Sequence, residues 1–370
     1  MRIINYSCND DPNTNIGWKI TQVEFTSLNL IVGISGAGKT RLLNTISNIA
    51  HVIRGKGKTT GAWNLVIEQN NQIYEWDIFI QPIKDELPKI KFEKLTLKNG
   101  EENVILINRS DNGFFFNGDQ LPKLPSDESA IVLLKEEDAI RPLYEGFDYF
   151  IRREFSIESL KEAAQKHSIN FETKESVKYE KNLRKLVKLE SLNDRLEIIK
   201  NSFEDIYNEI CENFINTFPF IRRVDLKKIN TPFGLVPIFC IKEKNVDDWI
   251  PLDQISSGMK KILFMLTDIC SLPEGSIYFI DEYENSLGIN AINFLPEFLS
   301  DYQDKIQFFI TSHHPYLINN IPVKNWYLCY RKGQNIFIKY GKELVDRYGE
   351  SKQSAFVNLI NDTIYSEGIE

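Results

Sequence analysis

Gly33-Ile34-Ser35-Gly36-Ala37-Gly38-Lys39-Thr40 is an uninterrupted G-x-x-x-x-G-K-T phosphate-binding pattern. Its flanks fit. Leu28-Asn29-Leu30-Ile31-Val32 before it reads as a short buried strand, and Arg41-Leu42-Leu43-Asn44-Thr45-Ile46 after it reads as a helix start. Strand, glycine loop and helix in that order give the pattern a mechanism. The glycines let backbone N–H groups curl around phosphate oxygens without Cβ clashes, and the helix start adds the positive end of its dipole. Candidate nucleotide contacts are therefore Gly33, Ser35, Gly36, Ala37, Gly38, Lys39, Thr40 and Arg41. Lys39 would reach the β- and γ-phosphates of ATP, and the Thr40 hydroxyl would ligate Mg²⁺.

The 370 residues around this loop suffice for a sizeable core, either as two domains or as one with a large insertion. A net charge of −8 argues against a uniformly basic nucleic-acid binder, although a local basic groove remains compatible with it. No apolar run reaches the roughly 18 residues of a membrane span. The start, Met1-Arg2-Ile3-Ile4-Asn5-Tyr6, reads as a strand and not as a signal peptide. The five cysteines are scattered without a CxxC pair, which points to reduced thiols in a cytoplasmic protein and away from zinc.

Residues 63–120 read as strands. Asn70-Asn71 and Ser110-Asp111-Asn112-Gly113 mark hairpins, which implies an antiparallel sheet beside the nucleotide-binding core. From Asp127 to about Asn216 the apolar spacing turns helical, with Leu183, Leu186 and Val187 on one face. No heptad persists long enough for a coiled coil. A strand pair returns near Pro232–Ile241.

The second half of a nucleotide site lies about 240 residues downstream of the loop. Ser276-Ile277-Tyr278-Phe279-Ile280-Asp281-Glu282 is a buried strand ending in two acids. Asp281 would hold Mg²⁺ through water, and Glu282 would act as general base on the attacking water. Ahead of it, Ile255-Ser256-Ser257-Gly258-Met259-Lys260-Lys261 resembles the signature motif of ABC-type ATPases. There, a serine and a glycine at a helix start grip the γ-phosphate held by another subunit; Ser256, Ser257 and Gly258 are the candidates here. Taken alone, the same residues describe an ordinary serine cap before a helix Met259–Ile269. A third strand, Ile306-Gln307-Phe308-Phe309-Ile310-Thr311, runs into Ser312-His313-His314-Pro315. Two of the four histidines thus fall at a strand's C-terminal end, where open α/β sheets bind ligands.

These motifs in this order resemble the ABC/SMC-like AAA ATPases of the OLD and defence-island type, over roughly residues 1–50 and 250–320. The resemblance implies an α/β fold: an ABC-type P-loop core with a mixed sheet, flanking helices and an antiparallel β subdomain, carrying a helical insertion. The core would occupy residues 1–126 and 217–340, the insertion 127–216, and a C-terminal tail 341–370. The resemblance makes His313, two residues before Pro315, the γ-phosphate sensor in preference to His314. A Q-loop glutamine has two candidate locations, Gln81 and the stretch Ser126–Ala130, and Gly288 stands where many relatives carry a D-loop histidine. The stretch after His314-Pro315 is too short for a Toprim nuclease, so the expectation is an ATPase part alone with its effector on another polypeptide. The implied partner is a second copy in a head-to-tail ATP sandwich, or a higher oligomer; no membrane partner is implied. The competing readings are an ATP-gated scaffold with little turnover and an SMC-like DNA-repair ATPase.

Overall fold

The computed structural model describes residues 1–10, 17–55, 59–84, 86–100, 102–153, 155–165, 186, 191–231, 234–285 and 287–368. The chain forms two compact units. The first comprises Met1–Arg152, Glu274–Glu282 and Gln303–Glu370, and the second Arg153–Pro273 and Tyr283–Tyr302.

Among the described residues the first unit is built on one sheet of fourteen strands. In chain order these are β1 (Arg2–Asn9), β2 (Lys19–Glu24), β3 (Leu28–Val32), β4 (Gly61–Gln69), β5 (Gln72–Gln81), β6 (Lys89–Asn99) and β7 (Glu102–Ser110). They continue with β8 (Gly113–Phe116), β9 (Asp119–Leu121) and β10 (Phe150–Arg152); past the second unit's β11 (Ile221–Thr231), β12 (Gly234–Glu243) and β13 (Ile250–Pro251) come β14 (Ser276–Ile280), β15 (Ile306–Thr311), β16 (Trp326–Lys332) and β17 (Asn335–Tyr340). Across the sheet the order is β10-β14-β15-β3-β16-β17-β2-β1-β4-β5-β6-β7-β8-β9.

From β10 to β16 every neighbouring pair is parallel. Parallel strands covered on both faces need apolar side chains throughout, and β3, β14 and β15 are buried at every position. From β1 through β9 the strands run antiparallel, and β4 alternates buried and half-buried residues, as a sheet with one covered face requires. The antiparallel strands continue the same sheet and do not form a separate one beside the core. The β4–β5 turn has Asn70 at φ 51° and Asn71 at φ 61°, the pair of left-handed residues of a type I′ hairpin.

A buried ion pair ties the segment after β9 to the sheet. The fully buried Glu93 carboxylate accepts hydrogen bonds from Trp76 Nε1 (3.2 Å), Ser129 Oγ (2.5 Å) and the Ala130 N–H (2.7 Å). Arg109 Nη1 lies 3.9 Å from Glu93 Oε2 and also donates to the Glu128 carbonyl. Burial pushes the Glu93 carboxyl up, against the pull of these donors. Removing one member of a buried pair costs about 3–5 kcal/mol because the other charge stays behind. Glu93→Ala is expected to lose about that much stability in urea or guanidinium unfolding at neutral pH, and a loss below about 1 kcal/mol would show that the pair contributes little.

These contacts explain why residues 127–152 belong to the first unit, not to an insertion beginning at 127. The helices Lys342–Tyr348, Lys352–Ile360 and Thr363–Glu367 also belong to it, with Leu344, Ala355, Leu359 and Ile364 buried, so residues 341–368 are not a separate tail. The second unit has five helices among its described residues, Ile157–Gln165, Leu192–Ser202, Glu204–Thr217, Ser257–Ser271 and Ile289–Tyr302. Its β11–β12 hairpin stays with them because Phe239 packs edge-on against Phe214, ring centroids 5.7 Å apart, so this unit does not end at 216. Leu183 and Val187 lie outside the described residues; Leu186 is buried. No helix among the described residues is long and apolar enough to cross a membrane.

Candidate functional site

Between the C-terminal end of β3 and the helix Lys39–Ile53 the chain makes the phosphate loop. Gly33, Gly36 and Gly38 all have positive φ (144°, 83° and 108°). At Gly33 the packing also demands glycine, since a Cβ there would lie 2.3 Å from the backbone carbonyl oxygen of Cys329 in β16. The loop helix starts at Gly38 with no side-chain cap and no acidic residue in its first turn, so the positive end of its dipole faces an anion without a competing carboxylate.

Ser35, Gly36, Gly38, Lys39, Thr40 and Arg41 line a cleft of about 200 Å³ together with Glu282, Thr311, His313 and the β16–β17 residues Arg331, Gln334 and Ile336. Gly33 and Ala37 lie behind it. The Ala37 N–H donates to the Ile34 carbonyl (3.2 Å) and its own carbonyl accepts from Cys329 Sγ (3.4 Å). Burial pushes the Cys329 thiol up to about 12, so it stays neutral under the loop. Lys39 is nearly buried and its ammonium donates to the Gly33 and Ile34 carbonyls, both at 2.8 Å.

One hydroxyl joins the two acids. Thr311 Oγ1, at the end of β15, donates to Asp281 Oδ1 (2.7 Å) and accepts the Glu282 N–H (2.7 Å). Thr40 Oγ1 lies 3.4 Å from the same Asp281 oxygen, and Arg152 Nη2 lies 3.6 Å from Asp281 Oδ2. Glu282 has φ 46°, a left-handed backbone that an ordinary residue adopts at a cost of about 1 kcal/mol or more. That turn takes the chain off β14 and carries the Glu282 side chain into the cleft lining. His313 lines the cleft, whereas His314 Nδ1 accepts the Tyr316 N–H (3.3 Å) and caps the helix Pro315–Asn320.

The chain's own groups fit a metal–nucleotide pair. Three glycines at positive φ shape the loop ahead of an uncapped helix start, and a hydroxyl and a carboxylate converge as hard oxygen donors suited to Mg²⁺. Neither Gln81 nor Ser126–Ala130 lines the cleft.

Ser256, Ser257 and Gly258 belong to the second unit. Ser256 is the N-cap of the helix Ser257–Ser271, its Oγ accepting the Met259 N–H (3.2 Å). One turn on, the fully buried Lys261 ammonium donates to the Tyr283 and Asn285 carbonyls, both at 2.9 Å, and so holds the segment after Glu282. Ser286 lies outside the described residues. Thr311 and Lys261 stand inside quoted motifs without a role assigned from the sequence, the first just ahead of Ser312-His313 and the second at the end of the signature, whereas Arg152 has no motif around it.

The family model described as "AAA domain, putative AbiEii toxin, Type IV TA system" matches residues 28–319, from β3 through the helix after His314. The chain belongs to this AAA-domain family. No curated protein matches it. Among solved structures, the AAA domain here is similar to an SMC head crystallised with the C-terminal winged-helix domain of ScpA, at TM-score 0.51 and 14% identity, covering 92% of this chain and 98% of that one. A Thermotoga maritima SMC head domain aligns over 92% of this chain and 99% of its own, at TM-score 0.42 and 14% identity. The first of these shows the fold: an ABC-type P-loop NTPase of the SMC-head kind, a mixed sheet with flanking helices.

Proposed function

We propose that this AAA domain is an ATP-hydrolysing dimer switch. One arrangement supports this above all: Thr311, which lines the cleft with Lys39, Thr40, Glu282 and His313, bonds both Asp281 and the Glu282 backbone. Lys39 and the loop N–H groups bind the triphosphate and hold it in place. Mg²⁺, held by the Thr40 hydroxyl and the Asp281 carboxylate, would neutralise charge on the β- and γ-phosphate oxygens. Glu282 accepts the proton of the attacking water, and His313 donates to the γ-phosphate and registers its loss. The Ser256 cap and the N–H groups of Ser257 and Gly258 serve a second copy's γ-phosphate, so that two ATP molecules close two chains head to tail. In this reading the switch controls a separate effector in an antiphage defence system, a step taken from family resemblance and not from these residues.

Mixing two inactive variants tests the sandwich. Ser256→Arg is expected to bind ATP without turning it over, since a bulky cation fills the partner's γ-phosphate space. Loss of the serine cap itself costs only about 1 kcal/mol. Added in equal amount to Lys39→Ala, it should regain about a quarter of wild-type turnover, because half the dimers are mixed and each holds one intact site. No recovery with mixed dimers present would mean that each chain works alone.

A further inference from the structure

Asp281 meets two kinds of partner. Its Oδ1 faces the hydroxyls of Thr311 and Thr40, while its Oδ2 faces the Arg152 guanidinium at 3.6 Å. Strand pairing puts Arg152 there. β10 runs parallel to β14 with Arg152 opposite Phe279, so its side chain emerges at the same sheet end as the two acids. The guanidinium thus lies against the carboxylate that the proposed function reserves for Mg²⁺.

We infer that Arg152 is the built-in counter-cation of Asp281, displaced when Mg²⁺ arrives with nucleotide. The inference rests on the nucleotide-site reading above. The physics is a cation exchange. A monovalent guanidinium 3.6 Å from a partly exposed carboxylate is a weak partner, and a divalent ion with two hard oxygen donors outcompetes it. Arg152 is a positioning residue in this scheme, since it acts on Asp281 and on no reacting atom.

The test uses the full chain and a fluorescent ADP analogue, which lacks the γ-phosphate that a partner's signature would hold. Nucleotide binding is titrated against Mg²⁺. Arg152→Ala is expected to lower the half-saturating Mg²⁺ concentration about threefold, the scale of a partly exposed ion pair, and Arg152→Lys to stay near wild type. Arg152→Gln, closer in shape, gives the same reading should the alanine variant fold poorly. A half-point unmoved or raised would overturn the displacement. Lys39→Ala separates the two levels: nucleotide binding intact in that variant would sink the site reading and this inference together, whereas binding lost there with Arg152→Ala unmoved would sink the inference alone.

Discussion

Lys39→Ala is expected to weaken ATP binding at least about a hundredfold, near 3 kcal/mol. Lys39 is the loop's cation, and its ammonium already spans the Gly33 and Ile34 carbonyls that frame the cradle. Alanine removes both the charge that meets the β- and γ-phosphates and the brace that shapes the ligand-free loop. Two measurements check it. Direct titration should show no saturation in the range where wild type saturates. ATP should also stop raising the melting temperature, because ligand stabilisation follows occupancy. Wild-type affinity in the variant would remove the phosphate-loop assignment.

Glu282→Gln is expected to bind ATP normally and hydrolyse it at least about a hundredfold more slowly, the scale of a lost general base. The substitution keeps the side chain's shape, and the backbone N–H that anchors Glu282 to Thr311 is untouched. Occupancy and turnover should therefore separate cleanly. The variant should accumulate an ATP-dependent dimer, visible as a shift in size-exclusion or light-scattering mass that ADP does not produce. Unchanged turnover would pass the base role to another carboxylate, with Asp281 next in line.

Much of this site was legible because its parts are local. The phosphate loop is contiguous, and each acid or histidine candidate ends an apolar strand, so a strand reading already gathers them at one end of a parallel sheet. What escaped was non-local. Thr311 matters through a hydroxyl shared between two residues about thirty positions earlier in the chain. Arg152 matters through the pairing of a three-residue strand with one more than a hundred positions away. The division of the chain escaped for the same reason. Helical spacing begins at Asp127, but the buried Glu93 and Arg109 pull that stretch onto the sheet, and Phe239 pulls a hairpin onto the helices. The hairpin Asn70-Asn71 was readable because its chemistry is confined to two residues with left-handed backbones.

The fourteen-strand sheet has one further consequence, for the protein's behaviour in concentrated solution. An open sheet presents unpaired amides at both margins, where foreign strands can add and start aggregates. Here the margins are β10 and β9, each only three residues long, and β10 ends in Arg152. The long, apolar strands all lie inside. Cutting the sheet back before Gly113 would bare β7, nine residues with Val104 and Ile105 already exposed, and turn a guarded border into a template for fibril growth.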